Sequence, residues 1–172
     1  LPLLGYSEYM KIHKDTWVAF KTPIGILRVY AQNEKVTFID IATKDAKVGS
    51  AGKAEVLKTA EKELTQYFSG KLTKFTFPVD LSNGTEFQRS VWKQISKIPF
   101  GKLKTYKDIA DAIGKPKAAR AVGGAVGSNP VPLVVGCHRV LGASGKITGY
   151  SGGDGLPTKR WLLAHEGLTA KE

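Results

Sequence analysis

From Trp17 to Ile41 short runs of β-branched and aromatic residues alternate with turn formers. WVAFKTPIGILRVYAQNEKVTFIDI is broken at Thr22-Pro23-Ile24-Gly25 and at Gln32-Asn33-Glu34, which predicts an antiparallel meander of three strands. The period then lengthens: between Lys53 and Phe68, Val56, Leu57, Ala60, Leu64, Tyr67 and Phe68 recur at helical spacing, with Gly70 as a stop. This is an α+β lobe with little chemistry in it. Thr73 to Ser82, ending in Ser82-Asn83-Gly84, reads as the crossing into a second lobe, so the expected domains are 1–84 and 85–172.

Beyond Thr85 the pattern is helical. Thr85 can cap a helix carrying Phe87, Val91, Trp92 and Ile95, closed by Pro99-Phe100-Gly101. A second helix starts at Thr105, turns Ile109, Ala110 and Ile113 inward and ends at Gly114. Pro116 suits the first turn of a third, PKAARAVGGAVGSN, which stops near Ser128-Asn129-Pro130. Helix, short turn, helix is the helix-turn-helix layout. The third helix has almost no side-chain bulk, although each of its glycines costs about 1 kcal/mol relative to alanine. Either another helix packs tightly on it, or a phosphate backbone or groove wall lies against it. Arg120 projects from among these small residues, as a solvated side chain or as one that enters a duplex.

Charge adds a partner to this picture. The 172 residues carry 26 Lys and Arg against 15 Asp and Glu, for a net charge of +11 and a pI near 9.7, which points to a polyanion. The excess is +3 over residues 1–85 and +8 over 86–172, so the second lobe is the expected binding face. No apolar run spans a bilayer and no signal-peptide pattern opens the chain, so a cytoplasmic location is expected. Leu1 is not a start Met. Residues 1–9 are read as an expression remnant or the product of a trimmed start, and are assigned no function.

One cysteine, Cys137, is present; it cannot form an internal disulfide, and no Cys/His cluster has zinc-ligand spacing. A lone cysteine in an apolar run is ordinarily an inert core residue. Here VPLVVGCHRVLGASGKITGYSGG delivers it on a strand-like run beside His138 and Arg139, among glycines, in a basic lobe. That is a setting in which a thiol is deprotonated and reached by substrate. Adjacent strand residues point to opposite faces, so Cys137 and His138 need a turn or a bridging water to couple. A third group must then orient the imidazole, and Glu166 in WLLAHEG is the acid at hand.

The run Cys-His-Arg-Val at 137–140, preceded by TYKDIADAIGKPKAARAVGGAVGSNPVPLVV and followed by GYSGG and WLLAHEG, closely resembles the O6-alkylguanine-DNA alkyltransferases. The similarity is dense from Phe87 to Gly167, whereas the first lobe agrees only in its α/β pattern. The resemblance implies a ribonuclease-H-like first lobe with a small antiparallel sheet, and a mostly helical, winged-helix-like second lobe. It implies a monomer acting on double-stranded DNA with alkylated bases, without membrane, metal or cofactor. Cys137 becomes the acceptor of an alkyl group from guanine O6, or from thymine O4. His138 activates it through a water and Glu166 holds His138, the triad logic applied to a thiol.

Asn129 is implied as the hinge between the helix-turn-helix and the active-site segment. Arg120 is implied as the finger that replaces the extruded base, and Tyr106 as the side chain that crowds the phosphate and protonates the leaving guanine. Val140, Tyr150 and Ser151 would wall the flipped base. Lys107, Lys115, Ala119, Gly123 and Gln88 complete the implied DNA contacts. An alkyl group on O6 lies inside the duplex, so the base must be extruded before a thiolate reaches it.

Two positions depart from the pattern. Gly136 stands where the family usually has Pro before the acceptor, which implies a looser turn, and Asp154-Gly155-Leu156-Pro157 lengthens the loop after Gly153. Two other readings remain open at this stage: a non-catalytic protein that binds alkyl lesions with the same fold, and a thiol hydrolase built on a Cys-His pair.

Overall fold

The computed structural model of the chain describes residues 16–42 and 46–170; the expectation for residues 1–9 lies outside them. The chain divides into two compact units at Gly84/Thr85.

In the first unit β1 (Trp17–Thr22), β2 (Gly25–Gln32) and β3 (Lys35–Ala42) form the meander expected from the alternation. A short β4 (Gly49–Ala51) pairs with β1, giving an antiparallel sheet in the order β3-β2-β1-β4. Leu27, Val29 and Tyr30 are wholly buried, and α1 (Glu55–Phe68) packs on β1, β2 and β3. This helix has no side-chain cap of its own; the Glu34 carboxylate accepts the Glu55 and Val56 N–H groups instead. Gly70, at φ +79°, takes the left-handed conformation that closes the last turn. The stretch read as a crossing is part of this unit. Val79 bridges Val36 beside β3, with Val36 N–H donating to Pro78 O and Asp80 N–H to Val36 O.

In the second unit α2 (Glu86–Ile95) starts at Thr85 with a reciprocal capping box between Thr85 and Gln88. A second box, Thr105 with Asp108, opens α3 (Tyr106–Ala112). The third helix, α4 (Ala119–Gly127), begins later than its sequence pattern implied. Pro116 lies in a tight turn in which Ala118 N–H donates to Lys115 O; its fixed φ serves the turn and not the first helical turn. α4 packs on both α2 and α3, burying Val122, Ala125 and Val126, and the Trp92 indole donates to Ala125 O.

The apolar run after Pro130 does not form the expected strand. It turns back on itself, with Pro132 bridging Val135, Leu133 buried at φ +77°, and Cys137–Arg139 wound into a 3-10 turn. Its backbone groups are met locally, so it needs no sheet neighbour. β6 (Val140–Leu141) then pairs in parallel with β5 (Lys104–Thr105), and α5 (Leu156–His165) delivers Glu166 as its C-terminal cap.

Candidate active site

Asn129 shapes the segment that carries the thiol. Its side-chain amide donates to Val135 O at 2.7 Å and its Oδ1 accepts Val131 N–H at 3.0 Å, so one side chain supplies the bonds that a partner strand would have given. The two bonds tie the end of the helix-turn-helix to the start of the turned-back segment at Val131 and to Val135, two residues before Cys137. The 3-10 turn removes the difficulty of a strand: Cys137, His138 and Arg139 fan out from one short helical turn.

Cys137 is 6 % exposed and His138 not at all. His138 Nε2 lies 2.5 Å from Glu166 Oε2. A carboxylate only accepts, so Nε2 carries the proton and Nδ1 is left as an acceptor. Among the described residues Nδ1 is buried and finds no hydrogen-bond partner. Burial holds the imidazole below its ordinary pKa, against the opposite pull of Glu166, so His138 is neutral and able to take a proton. Glu166 is itself held by Gly101 N–H at 3.2 Å, by Arg139 Nε at 2.8 Å and by Arg139 Nη2 at 3.1 Å.

The thiol is pushed up by burial and drawn back down by hydrogen bonds from Asn129 and Tyr150 and by the charge of Lys159. The sequence reading missed Lys159. It is 1 % exposed and donates to the carbonyls of Val140, Thr148 and Gly149 at 2.8, 3.1 and 3.4 Å. Desolvation lowers its pKa to about 8. A lysine in KRWLLAH reads as a solvated helix residue; only its place next to Leu162 and Leu163 in an otherwise apolar stretch hinted at an inward face.

Cys137 opens on a cavity of about 330 Å3 lined by Tyr106, Gly123, Val126, Gly127, Gly149, Tyr150 and Ser151, a size that suits one planar heterocycle. Tyr106 Oη shares a 2.9 Å hydrogen bond with Thr148 Oγ1, and Ser151 donates to Gly127 O at 3.2 Å. A Cβ built on Gly123, Gly124 or Gly127 would meet nothing within 4 Å. That removes tight helix packing as the reason for the glycines and leaves an open, smooth face beside the thiol. Arg120 is exposed near the start of the same helix.

Four of the expected contact residues have partners within the chain. Val140 is wholly buried and does not line the cavity, because it pairs with Lys104 in the β5–β6 ladder and offers only its carbonyl, to Lys159. Gln88 has both ends of its carboxamide engaged, accepting from Thr85 N–H and donating to Ser128 Oγ. Lys107 is paired with Asp111 at 2.9 Å, and Lys115 lies over the Phe87 ring at 5.4 Å; both remain exposed, as Ala119 is in part.

The second unit therefore joins a helix-turn-helix to a buried thiol with a histidine–carboxylate pair behind it, the layout of a group-transfer protein for nucleic acid. Residues 86–168 match the family model for the DNA binding domain of 6-O-methylguanine DNA methyltransferase, and residues 16–81 match its ribonuclease-like domain. The chain is 44% identical over 148 residues to a methylated-DNA–protein-cysteine methyltransferase of Mycolicibacterium paratuberculosis, covering 84% of this chain and 88% of that protein. It is 39% identical over 155 residues to the corresponding protein of Methanosarcina acetivorans, covering 88% and 97%. Among solved structures, the Mycobacterium tuberculosis OGT in complex with DNA superposes with a TM-score of 0.76 at 41% identity, over 87% of this chain and 91% of that one. The chain belongs to the O6-methylguanine DNA methyltransferase family.

Proposed function

We propose that this protein repairs alkylated DNA by direct reversal, moving the alkyl group from O6 of guanine, and from O4 of thymine, to Cys137. The observation that carries the reading is the buried His138–Glu166 pair, with Nε2 at the carboxylate and Nδ1 without a partner among the described residues, beside a thiol that opens on a base-sized cavity.

The damaged base is rotated out of the duplex into that cavity. Arg120 fills the space it leaves, the small residues of α4, including Ala119 and Gly123, let the DNA approach, and Lys107 and Lys115 meet phosphate. The Cys137 proton passes to His138 Nδ1, directly or through a water, and the imidazolium formed faces Glu166. The thiolate attacks the alkyl carbon; the S–C bond forms as the C–O bond breaks, and the electron pair stays with the guanine. Tyr106 gives that base its proton and regains one from solvent as the His138 imidazolium releases the thiol proton, so that one thiol proton is exchanged for one alkyl group, and Tyr150 and Ser151 bound the base as it leaves. Lys159 stabilises the thiolate before the attack. A thioether has no return path here, so each molecule acts once, as a monomer and without a cofactor. The reaction takes place where the genome is, in the cytoplasm, or in the nucleus of a cell that has one.

The test is stoichiometry. Excess duplex carrying one O6-methylguanine should lose methyl groups in proportion to protein and then stop. Continued turnover, or no loss, contradicts the reading.

A further inference from the structure

A second cavity, of about 390 Å3, lies wholly within the second unit, between the end of α2, the loop that follows it and α3. Ile98 and Ile109, both buried, and the half-buried Leu103 make its apolar floor. Lys97, Lys102 and Lys104 are exposed around it. Among the described residues none of these three ammonium groups has a hydrogen bond or an ion pair, in contrast to Lys107, which is paired with Asp111.

The wall of this groove is built before anything binds. The Lys97 and Ile98 N–H groups donate to Gln94 O and Ile95 O, and Lys102 N–H donates to Pro99 O. From the inside, Arg139 Nη1 donates to Ile98 O at 2.8 Å and Gly101 N–H to Glu166 Oε1 at 3.2 Å. A groove pinned in this way gives up little conformational freedom to a ligand.

Three cations beside an apolar floor suit an anion that also carries hydrocarbon. Duplex DNA matches that description poorly, because its phosphates need no apolar floor and offer only acceptors. The wall also holds Asp108, whose carboxylate accepts Thr105 N–H at 2.8 Å, a bond that holds the carboxyl below its ordinary pKa. At about 100° per residue along a helix, Asp108 and Ala112 fall on the far side of α3 from Tyr106, which lines the Cys137 cavity. A peptide answers every feature: carboxylates for the lysines, apolar side chains for the floor and N–H groups for Asp108.

We propose that this groove docks an acidic peptide segment of a partner protein, with Asp or Glu side chains against Lys97, Lys102 and Lys104 and apolar side chains over Ile98, Leu103 and Ile109. Docking there leaves the Cys137 cavity open, so the partner and duplex DNA bind together. An unstructured acidic tail has this chemistry, and its flexibility lets it reach the groove while its own domain stands elsewhere.

The experiment pans a phage-displayed library of random short peptides against the full chain. The enriched peptides should combine Asp or Glu with Leu, Ile, Phe or Trp. The most enriched one, synthesised with a fluorescent label, should bind the wild type in an anisotropy titration, with or without an unmodified duplex present. Its affinity for the double variant Lys97→Glu, Lys102→Glu should be lower by at least about tenfold, since two attractive contacts become repulsive. Both lysines are exposed, so the variant should fold, and it should transfer methyl from a saturating O6-methylguanine duplex at the wild-type rate.

No enrichment, enrichment of peptides without acidic residues, or equal affinity for variant and wild type overturns the proposal. Displacement of the peptide by duplex DNA, with an equal loss of duplex affinity in the variant, overturns it in favour of a second phosphate contact.

Discussion

Replacing Lys159 by Met keeps the length of the side chain and removes its charge and its donors. Three carbonyls, of Val140, Thr148 and Gly149, then lose their partner. Hydrogen bonds from a charged donor are worth about 1.5–3 kcal/mol each. The two shorter ones are offset in part by the cost of burying an ammonium, so a net loss of roughly 2–4 kcal/mol is expected. For a chain of this size that is a drop of roughly 5–15 °C in Tm. Activity should fall further than folding does. The Lys159 charge lowers the thiol pKa, so its removal raises it, and the thiolate fraction near neutral pH drops about tenfold for each unit.

The sign of the pH effect follows. The wild-type advantage is present while Lys159 is protonated, below about 8, and fades as the pH rises through that value. Single-turnover rates of Lys159→Met and wild type should therefore converge above pH 8. The check is methyl transfer from a labelled duplex, with the folded fraction measured by urea titration. A folded Lys159→Met with the wild-type rate and pH profile would refute the electrostatic role.

Further expectations concern the DNA face and the hinge. Arg120→Ala should slow repair in duplex DNA far more than reaction with free O6-alkylguanine base, because only the duplex requires extrusion; equal loss on both contradicts the finger role. Asn129→Ala removes two bonds to the Cys137 segment at about 1 kcal/mol each. It should lower Tm by several degrees and slow transfer even to the free base, and unchanged kinetics would show that the tether is structural only. Binding to duplex DNA should weaken steeply between 50 and 200 mM salt, by roughly 10^3 or more if six or more phosphates are neutralised; a flat response contradicts a phosphate-bound face.

Strands and helices were legible wherever one face meets a core. The β1–β3 meander and the capped start of α2 follow from alternation and from Thr85 with Gln88. The segment from Val131 to Gly136 was not legible. Its apolar character reports burial and says nothing of conformation, and what decides the fold there is one side chain, Asn129. Gln88, a DNA contact on the family resemblance, illustrates the converse: its carboxamide also caps α2 and holds Ser128, and the second of these partners comes from another element. Lys159 and Arg139 act through tertiary neighbours, carbonyls and a carboxylate brought from other elements, and no local pattern encodes those. Cys137, His138 and Glu166 could be named from the sequence through family resemblance; the turn and the tautomer that join them needed the structure.

The most direct test of the central claim is mass spectrometry of the protein after incubation with O6-methylguanine duplex, followed by peptide mapping. The account predicts a gain of about 14 Da, a methyl group in place of the thiol hydrogen and so a net methylene, on the peptide containing Cys137, and no gain in Cys137→Ser. An unmodified Cys137 in protein that has depleted the lesion, or an adduct on any other residue, would contradict it.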